Sequence, residues 1–138
     1  VYEAQVQVRW GDSDRLGHVN NTRFIEYMQE ARIQFFTHAF SGAEGDERPR
    51  ASVVRKMDVE FLVPVTDDSG PLTVEVSVLH VGTSSYTLRH VVKSRDGVTC
   101  GFGDAVLVAF DRRTETSRPL GANERAVLES HLDTAVAH

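Results

Sequence analysis

One long amphipathic helical pattern set among strand-like stretches limits this chain to folds in which a sheet packs around that helix. Phe24, Met28, Ala31 and Phe35 recur at i, i+4, i+7 and i+11, with Tyr27 beside them. Ile25, Ile33 and Phe36 lie off that stripe, so apolar side chains occupy more than one face. A helix of this kind is usually enclosed by other elements, and this one is expected to be wrapped by a sheet or pinned at a subunit contact. Asn20 or Asn21 can cap its start by accepting from an early backbone N–H. Its end is expected near Phe40, ahead of Ser41-Gly42.

The flanking sequence supplies the sheet. Over residues 2–10, Tyr2, Ala4, Val6, Val8 and Trp10 alternate with Glu3, Gln5, Gln7 and Arg9, the period of a half-buried strand. Residues 11–21 carry the Gly, Asp, Asn and Ser of a turn. A polar loop spans 41–50, and four strand-like stretches follow at 51–63, 72–82, 85–95 and 101–111. They are separated by Asp67-Asp68-Ser69-Gly70-Pro71, by Gly82-Thr83 and by Asp96-Gly97, the last a strong hairpin signal. Along the second stretch Val74, Val76, Val78 and His80 form one side of the alternation. Residues 122–133 read as a short helix that packs through Val127, Leu128 and Leu132 and leaves Asn123, Glu124, Arg125 and Glu129 in water. The order strand, helix, four strands predicts an α+β domain, with the long helix on one face of an antiparallel sheet. With 138 residues and no internal repeat or linker, one domain over 1–138 is expected.

Composition removes several classes. A net charge of −5 and the absence of a basic run argue against nonspecific nucleic-acid binding. No apolar run reaches the roughly 18 residues of a membrane span. The start, Val1-Tyr2-Glu3-Ala4, has neither a basic region nor an apolar one, so a cytoplasmic location is the simplest expectation. The single Cys100 can make no internal disulfide and is expected to be a small buried residue in a strand. No Cys/His cluster suggests a metal site.

The chemistry-bearing residues gather before the helix. Asp12 and Asp14 lie two positions apart, His18 follows, and Asn20 and Asn21 stand where the helix begins. Backbone N–H groups at a helix start can polarise a carbonyl and stabilise the oxyanion formed on attack. A nearby carboxylate can attack that carbonyl or activate a water. These parts suit hydrolysis of an activated acyl group. The same residue types also serve turns and caps for local reasons alone.

The string Gly11-Asp12-Ser13-Asp14-Arg15-Leu16-Gly17-His18-Val19-Asn20-Asn21 resembles the Asp-x-Asp-x-x-Gly-His-Val-Asn-Asn motif of the hydroxybenzoyl-coenzyme A thioesterase-like family. Phe24-Ile25-Glu26-Tyr27-Met28-Gln29-Glu30-Ala31-Arg32 resembles that family's helix, Val59-Glu60-Phe61-Leu62-Val63-Pro64 its second strand, and Val81-Gly82-Thr83-Ser84-Ser85-Tyr86 its turn between later strands. The resemblance runs from about residue 3 to 120 and implies a hotdog fold, an antiparallel sheet curled around one long helix. It implies hydrolysis of a coenzyme A or acyl-carrier-protein thioester, with coenzyme A part of the substrate and no separate cofactor or metal. It also implies a homodimer joined edge to edge, often paired into a tetramer, with the active site shared between subunits.

Carried over position by position, Asp14 matches the catalytic carboxylate, acting as nucleophile or as general base. Asn21 matches the position whose backbone N–H polarises the thioester carbonyl. Gly17 lets the turn pass close to the ligand, and His18 and Asn20 match motif positions. Asp12 is expected to order the turn. Gly82, Thr83 and Ser84 are expected to contact the pantetheine or nucleotide through backbone groups. Thr66-Asp67-Asp68-Ser69-Gly70-Pro71 replaces the family's shorter Tyr-Gly-Asp turn. Glu26 and Glu30 are rival carboxylates, expected on a solvated face or paired with an Arg. Arg55, Lys56, Arg89, Arg112 and Arg113 are candidates for the phosphates, each also an ordinary surface charge. Two other readings remain: a protein of this fold that holds an acyl thioester without cleaving it, and a dehydratase or hydratase. The latter usually needs a His/Asp pair on a different segment, and His38, His80 and His90 lie in no matching motif.

Overall fold

The computed structural model describes residues 1–13, 16–40 and 52–133. Strand β1 (Tyr2–Val6) leads through a short 3-10 turn at Trp10–Asp12 to helix α1 (Asn21–Ala39). Strands β2 (Ser52–Phe61), β3 (Leu72–Val81), β4 (Ser85–Lys93) and β5 (Thr99–Asp111) follow, then the two-residue β6 (Thr116–Ser117) and helix α2 (Ala122–Ser130). All pairings are antiparallel, in the order β1-β3-β4-β5-β2, with β6 on β5. The sheet carries α1 across one face, which is the hotdog arrangement. The expected polar loop at 41–50 falls outside the described residues.

The helix pattern is realised as read. Phe24, Tyr27, Met28, Ala31 and Phe35 are buried, and the Asn20 side chain accepts from the Thr22 N–H at 2.9 Å, which makes Asn20 the cap. They meet the inner faces of the strands: Ala4 and Val6 of β1, alternate valines of β3, and Tyr86, Leu88 and Val92 of β4. Close approach of helix to sheet depends on small residues of β5. A Cβ at Gly101 would stand 2.5 Å from the Glu60 carbonyl oxygen and 2.7 Å from Phe24 Cζ, and one at Gly103 would stand 2.7 Å from Met28 Sδ. Of the off-stripe residues, Phe36 packs against the core and the Tyr86 ring, whereas Ile25 and Ile33 are exposed, Ile33 at 57 %.

Four expectations are corrected. The first strand stops at Val6 rather than residue 10, because its partner β3 begins at Leu72, opposite Val6. Ahead of it, Pro71 has no N–H to offer, and Gly70 packs against Val8 instead of pairing with it. His80 leaves the inner side of β3 at a register shift between Val78 and His80, and is exposed. Glu124 is buried rather than wet, because Arg118 clasps its carboxylate at 2.7 and 3.1 Å and the Gly121 N–H donates to it at 2.9 Å. Leu132 remains exposed, its backbone bridging Val78 while Leu128 fills the contact with the sheet. Cys100 is buried in β5, as expected.

Strands β1 and β2 are the two edges of the sheet, and most of β2 is exposed although it carries Val53, Val54 and Phe61. An apolar edge of this kind invites pairing with another strand.

A histidine occupies the core. His90 is fully buried between Leu88 and Val92 on the inner face of β4. Its Nδ1 donates to the Gly103 carbonyl at 3.0 Å. Burial holds its pKa down at about 4, so the ring is neutral in the folded protein near neutral pH.

Two outcomes are expected. Gly101→Ala should lower unfolding stability by about 1–3 kcal/mol in urea titration, because the clash is with main chain and a packed ring. The unfolded chain binds a proton at His90 below about pH 6.5, whereas the folded chain resists it. The contribution of His90 is therefore intact above that pH and is lost as pH falls toward the folded value of about 4. The loss should total roughly 3 kcal/mol, and an NMR titration should show the His90 ring uncharged at pH 5.

Candidate active site

The segment before α1 is fixed from three directions. Ser13 and Val19 form a backbone bridge that closes the turn, and Gly17 holds φ 78° within it, a left-handed conformation suited to glycine. The Val19 N–H donates to the Val65 carbonyl at 2.7 Å, tying the turn to the segment after β2. The Ser13 hydroxyl donates to Asp67 at 2.6 Å, so the unusual 66–71 loop anchors the same turn.

Asp12 is the turn's internal post. It is 5 % exposed and accepts from the Tyr27 hydroxyl at 2.6 Å and from the Arg9 N–H at 3.1 Å. The guanidiniums of Arg9 and Arg23 stand 3.5 and 3.8 Å from its oxygens. Burial pushes its carboxyl upward, but the bonds from Tyr27 and Arg9 and the two cations outweigh burial and hold its pKa below the usual carboxylate value. A carboxylate held in this way ties the turn to the helix through Tyr27. The rival carboxylates are likewise engaged: Glu26 with Arg23 at 2.9 Å and Glu30 with Arg9 at 3.6 Å.

A cleft of about 400 Å³ opens at the start of α1. His18, Asn20 and Asn21 line one side, and Phe24 with Phe61, Leu62, Val63, Pro64 and Val65 lines the other. Backbone donors around it are nearly all used. The Asn20 N–H goes to the Asp12 carbonyl, Thr22 N–H to the Asn20 side chain, and Arg23 and Phe24 N–H to the Asn20 carbonyl. The Asn21 N–H, at the first helical position, has no acceptor among the described residues. Asp14 and Arg15 lie outside the described residues, between Ser13 and Leu16.

Gly17, His18, Asn20 and Asn21 are thus brought together, whereas Gly82, Thr83 and Ser84 are not. Their turn joins β3 to β4 beside Ala109, while the helix start lies by Phe61 and Gly101. Along β5 those levels are eight residues apart, from 101 to 109, about 26 Å. The turn's carbonyls are also occupied: Thr83 accepts from the Leu120 N–H at 2.9 Å, Ser84 from Ala109 at 2.8 Å, and Gly82 from the Arg125 guanidinium. Arg112 and Arg113 follow β5 in an exposed turn at that same end. Arg89 is clasped by Asp104 through two 2.7 Å bonds, and Lys56 pairs with Asp58 at 3.5 Å. Among the described residues no cluster of His, Cys, Asp or Glu could hold a metal ion, and no helix is long and apolar enough to cross a membrane.

An antiparallel sheet laid across one long helix, with a cleft at the helix start lined by Asn21 on one side and apolar side chains on the other, defines the architecture of a hotdog-fold thioesterase. Residues 8–133 match the family described as the Thioesterase-like superfamily, and the chain belongs to it. A thioesterase from Thermus thermophilus, solved in complex with coenzyme A and Zn, is 32 % identical, with a TM-score of 0.79 over 93 % of this chain and 91 % of that one. A thioesterase-superfamily structure from Jannaschia sp. CCS1 shares the fold, with a TM-score of 0.86 at 23 % identity over 96 % of this chain and 94 % of that one. The Bacillus subtilis (strain 168) protein YsmA, itself uncharacterized, is 28 % identical over 110 residues, 80 % of this chain and 73 % of that protein.

If Asp12 is the post that fixes the turn, Asp12→Ala should cost about 1–3 kcal/mol in urea unfolding, since the buried Tyr27 hydroxyl loses its acceptor. Tyr27→Phe should cost less, because Arg9 still serves the carboxylate.

Proposed function

We propose that this chain hydrolyses acyl thioesters of coenzyme A, or of an acyl carrier protein, to free acid and thiol. The observation that carries this is the Asn21 N–H, which has no acceptor among the described residues and stands at a helix start lining a cleft with one apolar wall. It is aligned with the positive end of the helix dipole, where a developing oxyanion gains most. Membership of the Thioesterase-like superfamily, and the coenzyme A bound by the Thermus relative, support the substrate class.

In this reading Asp14 supplies the attack. As nucleophile its carboxylate adds to the thioester carbonyl, expels the thiolate and leaves a mixed anhydride that water cleaves. As general base it takes a proton from the water that attacks directly. Gly17 and His18 shape the turn around it, and Asn20 holds the helix start.

The reading includes a homodimer paired through β2, the exposed apolar edge. Antiparallel pairing of two β2 strands would set the Ser52 end of one against the Phe61 end of the other. The 82–84 turn and Arg112–Arg113 of one copy would then lie at the end of the sheet where the other copy's helix begins, which suits a role in holding coenzyme A.

The test is thiol release from short, medium, long and aromatic acyl-CoAs. Asp14→Asn should lower turnover by about 100-fold or more with the fold intact. Asn21→Pro should do the same, because proline is accepted at the first helical position and Asn20 already has extended φ and ψ of −63° and 143°, yet the donor is gone. Asn21→Ala keeps the N–H and should stay active. Undiminished turnover in Asp14→Asn would remove that residue from the mechanism, and tight acyl-CoA binding without thiol release would replace hydrolysis by carriage.

A further inference from the structure

The buried face of α1 carries one charge. Arg32 is 7 % exposed, and among the described residues its one hydrogen bond runs from Nη1 to His90 Nε2 at 3.4 Å. His90 gives its own proton to the Gly103 carbonyl, so Nε2 offers a lone pair and no charge. No carboxylate pairs with Arg32 among the described residues. A buried guanidinium without a counter-anion is unfavourable by itself, and burial lowers its pKa accordingly.

Arg32 lines a cavity of about 470 Å³ between α1, the start of β2 and β5. Ile33, Phe36, Val54 and Leu107 give it an apolar wall, Gln29 and Thr37 add neutral polar groups, and among the described residues no acidic side chain lines it. Ser52 adds a second donor. Its Oγ accepts from the Tyr86 hydroxyl at 2.8 Å, and burial pushes the Tyr86 phenol up to about 12, so the phenol stays the donor. The Ser52 hydroxyl therefore keeps its own proton to donate, and Ser52 lines the cavity. A cation and a hydroxyl donor above an apolar lining match an anion on a hydrocarbon body. Cleft and cavity flank the same strand, at its Phe61 and Ser52 ends. Eleven helical positions separate Asn21 from Arg32, about 16 Å, and the arginine side chain leans back toward the helix start.

We propose that the cavity binds the distal carboxylate of an ω-carboxyacyl group, with Arg32 pairing the carboxylate, Ser52 donating to it and the apolar wall taking the methylenes. That the acyl group arrives as a thioester rests on the hydrolytic reading above, whereas the carboxylate site does not.

Two measurements separate them. Calorimetry with suberate and octanoate, equal in carbon number, should show suberate binding at least about tenfold tighter to the wild-type protein. Arg32→Met should erase that preference while leaving the unliganded protein no less thermally stable, since it removes an uncompensated charge. If Arg32→Met fails to fold, Ser52→Ala is the second variant, and it should weaken suberate several-fold. In turnover, suberyl-CoA should exceed octanoyl-CoA in kcat/KM by about tenfold in the wild type and not in Arg32→Met. Absence of suberate binding, or binding unaltered in both variants, overturns the carboxylate site whatever the thioesterase assay gives. Arg32-dependent binding of adenosine 3′,5′-bisphosphate with suberate inert also overturns it, in favour of the nucleotide phosphates. Arg32-dependent suberate binding with no thiol release from any acyl-CoA keeps the site and overturns the hydrolytic reading.

Discussion

The rest of the molecule depends on how the side chains of the first turns of α1 seat on β5. Gly101 and Gly103 remove two side chains from the inner face of the sheet where Phe24 and Met28 descend. Interiors are packed densely enough that one added carbon here must displace main chain or a ring. Because the helix sits down at its first turns, its N-terminus opens beside Phe61 and the segment after β2 rather than above the sheet, and the cleft forms where donors and apolar surface meet.

The second constraint is the charge network at that helix start. Asp12 collects a phenol, a backbone N–H and two guanidiniums, and each arginine continues to a glutamate of the helix. The exposed pairs contribute little stability individually. Their common partner is buried, so together they hold the turn at one distance from the helix. The main-chain donors of the cleft inherit their positions from that network.

The helix, its cap and the four later strands could be read from the chain because period, turn residues and burial agree there. Phe24 to Phe35 repeats the helical stripe, and Asp96-Gly97 turns the chain with Gly97 at φ 84°. What could not be read depended on partners distant in sequence. The end of β1 is set by Gly70 and Pro71, and Glu124 is drawn inward by Arg118 across a turn. His90 fits the alternation of β4 only once Gly103 and Arg32 are beside it. Arg32 resembled any charge on a helix until the fold placed it underneath. At the site, residue types and spacing gave a turn, two carboxylates and a helix start. The choice of Asp14 over Asp12 came from resemblance to a family.

The cap at Asn20 has a consequence for how such a chain can evolve. With the donors on either side occupied, the Asn21 N–H is left without an acceptor among the described residues, and that group belongs to the main chain. Nineteen of the twenty residue types carry the same N–H. A binding group of this kind leaves no signature in the letter at position 21, which is free to drift. The record of selection is displaced onto neighbours, the asparagine that caps and the aspartate that holds the turn, neither of which need touch a ligand.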